Sequence, residues 1–262
     1  MRAISLLYHD VVTAYEYDAS GFPGSGAARY KLDLVEFKSH FKAIAEAIKS
    51  KPISIFDLPA ATNNSLSLIL TFDDGGSSSY SYVADILESY GWHGHFFITV
   101  NYIGAPSFVT QEQIRALRKR GHIIGTHSCS HPERMSYLSW DQLIEEWSTS
   151  VAILSDMLDE PVTIASVPGG YYSKKVAESA ATSGIKALFT SEPTAWCYRV
   201  NGCLVLGRYT VLRGVAPEVS AGLASGELLP RLRQSLFWNT KKVAKVFGGR
   251  YYSKLRKYIL EG

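Results

Sequence analysis

Leu68-Ile69-Leu70-Thr71-Phe72-Asp73-Asp74-Gly75-Gly76 is an apolar run, too short for a helix of its own, that ends in two adjacent carboxylates and two glycines. The pattern predicts a buried strand whose C-terminal end carries Asp73 and Asp74 into a cleft. Neighbouring carboxylates repel one another, so the pair calls for positive charge beside it. A metal ion would supply that charge, and its other ligands are to be sought elsewhere in the chain.

Composition sets the frame for that search. The 262 residues are 46% hydrophobic and 19% charged, the balance of a soluble globular chain with one large α/β domain and room for an appendage. Three cysteines are too few and too scattered for a disulfide framework. Cys197 and Cys203 flank Asn201-Gly202, and either face each other across a hairpin or are two buried thiols. The N-terminus turns polar after a handful of apolar residues and has no signal-peptide pattern. No stretch approaches the roughly 20 apolar residues of a spanning helix. A cytoplasmic protein is expected.

The net charge of +3 hides an asymmetry, since residues 231–262 hold nine basic residues and one acid. That segment carries +8 and the preceding 230 residues −5. It divides the chain into a domain at 1–230 and a basic amphipathic helical tail at 231–262. Apolar residues interleave with the basic ones, so the tail either lies on an anionic membrane surface or docks on the domain with a solvated basic face. Nucleic acid is not an expected partner.

Strand and helix patterns alternate along the chain. Strands are expected at Ala3–Tyr8, at the Asp-Asp stretch, and at His95–Val100, His122–Gly125, Val162–Val167, Ala187–Thr190 and Leu204–Val211. Helices are expected at Leu34–Ile48, Ser79–Tyr90, from Thr110 to near Gly121, and at Ser139–Leu158 and Lys174–Ser183. Residues 11–31 read as a long loop and 60–65 as a turn-rich approach to the Asp-Asp strand, and His40 is expected on the polar side of the Leu34–Ile48 helix. Repeated strand-then-helix units imply a parallel sheet, open or closed into a barrel, with the site at the C-terminal strand ends. His9, Asp73, Asp74, His127 and Pro168–Tyr171 all fall there.

His127 and His131 are four residues apart, so a helical turn or a tight loop can aim both imidazoles one way. With Asp74 they give three protein ligands and leave positions open, the catalytic pattern for zinc and related divalent ions. Cys129, between them, is read as packing. Asp73 is then free to take a proton from water whose pKa the ion lowers, or it serves as a further ligand or a strand-end cap.

Thr71-Phe72-Asp73-Asp74-Gly75 together with His127-x-x-x-His131 resembles the polysaccharide deacetylases of carbohydrate esterase family 4, the NodB-type domain, over roughly residues 3–212. The resemblance implies a distorted (β/α)7-type barrel and metal-dependent removal of N-acetyl groups from amino sugars, with zinc, or else cobalt or nickel, as the ion. It makes Asp73 the general base and Asp74, His127 and His131 the metal ligands. Pro168-Gly169-Gly170 matches the family's third motif, which makes the Gly169 N–H an oxyanion donor.

Two positions depart from the pattern. An arginine that pairs with the base is usual two residues before the proline, and here Ser166 stands there. A histidine is usual near the last strand, and Val205-Leu206-Gly207-Arg208-Tyr209-Thr210 has none. Leu6-Leu7-Tyr8-His9-Asp10 resembles the Tyr-His opening of the permuted branch that acts on poly-N-acetylglucosamine. That likeness implies His9 as the general acid. Asp10 is expected on a surface or loop. Arg208 is expected to contact substrate or brace the site, and Tyr171, Tyr172 and Trp196 to stack on sugar rings or pack in the core. Two other readings are a deacetylase or deformylase of a lipid-linked sugar at the membrane face, and a catalytically decayed carbohydrate-binding module.

Overall fold

Strand β1 (Ala3–Tyr8) is buried on both sides because its alternate residues meet different layers. Ile4, Leu6 and Tyr8 belong to an outer core with Phe37, Phe41 and Ile44 of helix α1 (Leu34–Ala47). Parallel to it runs β2 (Ser67–Phe72), with Leu7 opposite Thr71 and Tyr8 opposite Phe72. Leu68, Leu70 and Phe72 join the outer core, while Ala3 and Ile69 turn inward to meet Phe97, Ile164, Phe189 and Leu206. This computed structural model describes residues 1–60 and 66–240. The turn-rich approach at 61–65 and the basic tail beyond residue 240 lie outside the described residues.

The sheet continues through β3 (His95–Ile98), β4 (Ile123–Thr126), β5 (Ile164–Ser166), β6 (Ala187–Phe189), β7 (Tyr198–Val200), β8 (Cys203–Leu206) and β9 (Tyr209–Thr210). Its order is β9-β1-β2-β3-β4-β5-β6-β8-β7, parallel throughout except for the β7–β8 hairpin. Only Gly207 and Arg208 separate β8 from β9, yet the two strands sit at opposite sides of that order. The sheet is therefore curled, and this one short stretch bridges its two sides. It is the distorted (β/α)7-type barrel, with the expected last strand 204–211 corrected to two pieces. Gly207 permits the crossing: a Cβ there would stand 2.3 Å from the Glu192 carbonyl oxygen.

Helices cover the outside. Thr110 and Ser139 each form a reciprocal capping box at the start of α3 (Gln111–Lys119) and α4 (Trp140–Leu158), following α2 (Ala84–Ser89). Helices α5 (Lys174–Thr182) and α6 (Pro217–Ala224) follow, and residues 228–240 form a last helix, α7. Among the described residues no helix is long and apolar enough to cross a membrane. Helix α7 runs across the 230/231 boundary and returns to the barrel, where Gln234 bonds both backbone groups of Thr210 and the Ser235 hydroxyl donates to the Pro193 carbonyl.

Three local expectations change. Residues 11–31 are not all loop, since Val11–Val12 pairs with Leu32–Asp33 and Ser25–Ala28 is helical. His40, expected on the polar side of its helix, is fully buried, because α6 covers that side and Ser220 and the Val215 carbonyl bond its two ring nitrogens. The hairpin forms at Asn201-Gly202, but its register sets Cys203 opposite Val200, so Cys197 lies beyond the paired residues and both thiols are free.

Candidate active site

The inward series Ile69–Thr71 extends at period two to Asp73, which is 3% exposed inside the barrel mouth. Asp74 falls on the opposite parity. A left-handed backbone at Asp74 (φ 75°) and Gly75 (φ 82°) turns the chain so that its carboxylate also reaches the mouth. A non-glycine residue held there costs on the order of 1–3 kcal/mol, a strain that clusters at functional sites. Ser128 (φ 65°) and His131 (φ 56°) repeat the feature on the loop after β4. His127 and His131 are thus paired by a tight loop, with ring centroids 5.0 Å apart.

Asp74 Oδ1 lies 3.4 Å from His127 Nε2 and 3.6 Å from His131 Nε2. One donor atom from each of the three residues falls within 4.8 Å of the others, the one such group among the described residues. The tautomer of His127 suits it to a ligand's role. Its Nδ1 sits 2.5 Å from the Ser166 hydroxyl, whose own proton goes to Asp73 Oδ1 at 3.1 Å. Nδ1 must therefore be the donor, which leaves the Nε2 lone pair facing Asp74 and His131. One carboxylate and two imidazoles arranged in this way fit a divalent cation.

The Asp73 partner that the third motif lacks comes from the barrel seam. Arg208 is fully buried, and its guanidinium grips Asp73 in a fork, Nη1 to Oδ1 at 2.6 Å and Nη2 to Oδ2 at 2.8 Å. Two further donors go to the Thr190 carbonyl and the Thr71 hydroxyl. Of the two expectations for Arg208, contact with substrate is corrected and bracing is what the geometry shows: it lies buried behind Asp73 and holds the carboxylate. Burial alone would push the Asp73 carboxyl up, but Arg208 and then His127 outweigh it and hold it below the usual range. Burial acts on Asp74 in the same way, and its hydrogen bond to His127 with the charges of His9 and His131 overcomes it. Burial and the neighbouring His127 lower His131 to about 4, so its ring is neutral at physiological pH.

The β1–β2 register carries the inward series of β1 on to His9, beside Asp73, whose N–H donates to the Tyr8 carbonyl. His9 lines the cleft, its ring 4.6 Å from that of Tyr30, and its Nδ1 is buried with no hydrogen-bond partner among the described residues. Asp10 is not the surface residue expected. It is 2% exposed and takes hydrogen bonds from Ser20 and Ser78 behind the Gly75-Gly76 turn. A Cβ on Gly76 would stand 1.9 Å from its Oδ1. Lys31 is buried beside it, with Nζ donating to the Tyr17 and Phe22 carbonyls.

The cleft has a volume of about 530 Å³ and is lined by His9, Asp73, Asp74, His127 and His131, with Gly169 and Tyr171 on the facing wall. Gly169 takes φ 62° at the head of that wall. Tyr171 is flanked by the Arg134 guanidinium at 5.3 Å. Phe237 and Trp238 of α7 complete the lining. Trp196 is elsewhere, stacked on Arg2 at the N-terminal end of β1, because the β6–β7 connection folds under the barrel there. Tyr172 turns away to a hydrogen bond with Tyr198 at 2.8 Å. The sequence reading missed Ser166 as a link, Asp10 and Lys31 as buried supports, and the wall that α7 provides. Asp10 and Lys31 had one available signal, as charges flanking the two-residue strands at 11–12 and 32–33.

Comparison with known proteins agrees with this geometry. YxkH of Bacillus subtilis is 26% identical over 185 residues, 69% of this chain and 66% of its own length. The peptidoglycan-N-acetylglucosamine deacetylase PgdA of Listeria monocytogenes is 29% identical over 205 residues, 78% of this chain and 40% of its own. The chain thus spans two thirds or less of these curated relatives. In fold it is similar to the Streptococcus pyogenes deacetylase PplD in complex with acetate (TM-score 0.71, 21% identity, 87% of this chain and 99% of that one). It is likewise similar to IcaB from Ammonifex degensii (TM-score 0.68, 20% identity, 85% and 97%). Residues 60–188, which include the Asp-Asp strand and both loop histidines, match the polysaccharide deacetylase family, and that segment of the chain belongs to the family.

Proposed function

We propose that the chain hydrolyses the acetamide of an N-acetylated amino sugar, in a polysaccharide or its precursor, and releases acetate. The observation that carries this reading is the convergence of Asp74, His127 and His131 within 4.8 Å, in one cleft with Asp73 and His9. Asp74, His127 and His131 would hold a divalent ion, zinc in the first instance with cobalt or nickel as substitutes, and when bound it would acidify water and polarise the acyl oxygen.

The residues of the chain divide the proton work. Asp73 Oδ1 is occupied by Arg208 and Ser166, whereas Oδ2 takes one guanidinium bond and keeps a lone pair toward the cleft. Oδ2 accepts the proton of the attacking water as the new C–O bond forms. The Gly169 N–H donates to the oxyanion on the facing wall. His9 gives a proton to the nitrogen as the C–N bond breaks, leaving acetate and a free amino sugar. Tyr171 offers a ring face to the sugar.

Acetate release from N-acetylglucosamine oligomers, measured with zinc, cobalt or nickel added, tests the assignment. Asp73→Asn and His9→Ala should each lower kcat by on the order of 10²–10⁴. Equal rates in parent and variants would remove both roles, and an inactive parent that still binds oligomers would return the chain to a binding module. A lipid-linked sugar is the second reading, favoured by Leu7, Leu212, Phe237 and Trp238 along the cleft wall.

A further inference from the structure

Helix α7 has two faces with opposite characters. At 3.6 residues per turn, successive residues step by about 100°, so Leu228, Leu229, Leu232 and Leu236 fall within one arc of about 100°. All four are exposed, by 64%, 68%, 48% and 65%. The other side of the helix carries Arg231, Gln234 and Trp238, which meet Tyr209, Thr210 and the cleft wall. The helix is therefore anchored to the cleft mouth by one face and presents four leucines to the outside with the other.

We infer that this leucine face docks the protein on a membrane surface that bears anionic lipid. Charge complementarity selects that occupant. The sequence that follows the helix holds Lys241, Lys242, Lys245, Arg250, Lys254, Arg256 and Lys257 against one acid, Glu261. Leucines that enter the headgroup boundary and cations that meet its negative potential are the two components of interfacial binding, and neither is strong alone. A contiguous apolar patch beside a functional cleft is also uncommon on a chain with no further contact to make. The docking places the cleft mouth next to the lipid surface and holds whatever chemistry the cleft performs.

Flotation of the full chain with phosphatidylcholine vesicles, with and without a quarter of phosphatidylglycerol, tests the inference. The parent should bind the anionic vesicles, and high salt should weaken the binding. Leu232→Ser/Leu236→Ser should reduce the bound fraction by about tenfold, since two buried side chains are lost from the lipid, with an unchanged melting temperature and unchanged metal affinity. No vesicle binding by the parent, or equal binding by the variant, overturns it. A variant that instead converts a dimer to a monomer in size-exclusion chromatography makes the face an interface between copies. A variant that lowers the melting temperature makes it the seat of residues 241–262. Either result also overturns the lipid assignment.

Discussion

Replacing Arg208 by methionine is the sharpest test of how the site is built. The substitution keeps an unbranched side chain in the barrel seam and removes the guanidinium. It strips Asp73, 3% exposed, of two charge-assisted hydrogen bonds and leaves the Thr190 carbonyl without its donor. Removing one partner of a buried pair costs about 3–5 kcal/mol, because the remaining charge is left desolvated. At about 2–4 °C per kcal/mol for a chain of this size, melting should fall by on the order of 10 °C. Asp73→Asn alone should cost less, and in its presence Arg208→Met should cost less again. The coupling free energy from the four melting curves should exceed about 1 kcal/mol. Because Arg208 holds the Asp73 carboxyl down, its loss should also move the acid limb of the kcat/KM profile to higher pH. A single-variant cost under about 1 kcal/mol, or strictly additive costs, would refute the pairing argument.

Three further outcomes follow from the same geometry. Ser166→Ala removes the nearer of the two acceptors of His127 Nδ1 and keeps the residue 166 carbonyl at 3.2 Å, so zinc affinity measured by calorimetry should fall by about tenfold, and an unchanged affinity would deny the Ser166 hydroxyl that part. Burial lowers His95 and His122 to about 4, against about 6.5 in the unfolded chain. The unfolded state therefore gains protons first on acidification, and stability present above pH 6.5 is lost between 6.5 and 4, by up to about 3 kcal/mol per histidine. Guanidinium midpoints across that range should fall steeply in the parent and less in His95→Gln. Gly207→Ala would press a methyl against the Glu192 and Thr194 carbonyl oxygens, and should destabilise by about 1–3 kcal/mol or more in chemical denaturation.

The parts legible in sequence are those whose signal is local. The six residues of β1 and the helix starts at Thr110 and Ser139 read correctly because burial on both faces and capping boxes leave a pattern within a few positions. The grouping of Asp74, His127 and His131 was legible because Asp74 and His127 each follow a strand end at the same side of a parallel sheet and His131 stands four residues from His127. The partner of Asp73 was not. Val205 to Thr210 is nearly continuous in its apolar pattern, and nothing local marks Gly207 as a crossing or turns Arg208 inward. Only the closure of the sheet does so. His40 and Trp196 failed for the same reason, since the element that covers or displaces each lies far away in the chain. Asp10 was misread because an acid just after a strand end is usually solvated, and here two serines from distant turns enclose it.

The crossing at Gly207-Arg208 also sets a timetable. His9, Asp73, Asp74, His127, His131 and Gly169 all precede it, so a chain growing from its N-terminus has every residue proposed above for proton transfer and ion binding before it has the clamp on Asp73. Until the seam shuts, that carboxylate is an unpaired charge that resists being taken out of water. The expected consequence is a safeguard built into biogenesis: a fragment ending near residue 200 would carry the inventory and stay inert. Adding a peptide that spans residues 201–240 should restore acetate release, and activity in the fragment alone would dismiss the idea.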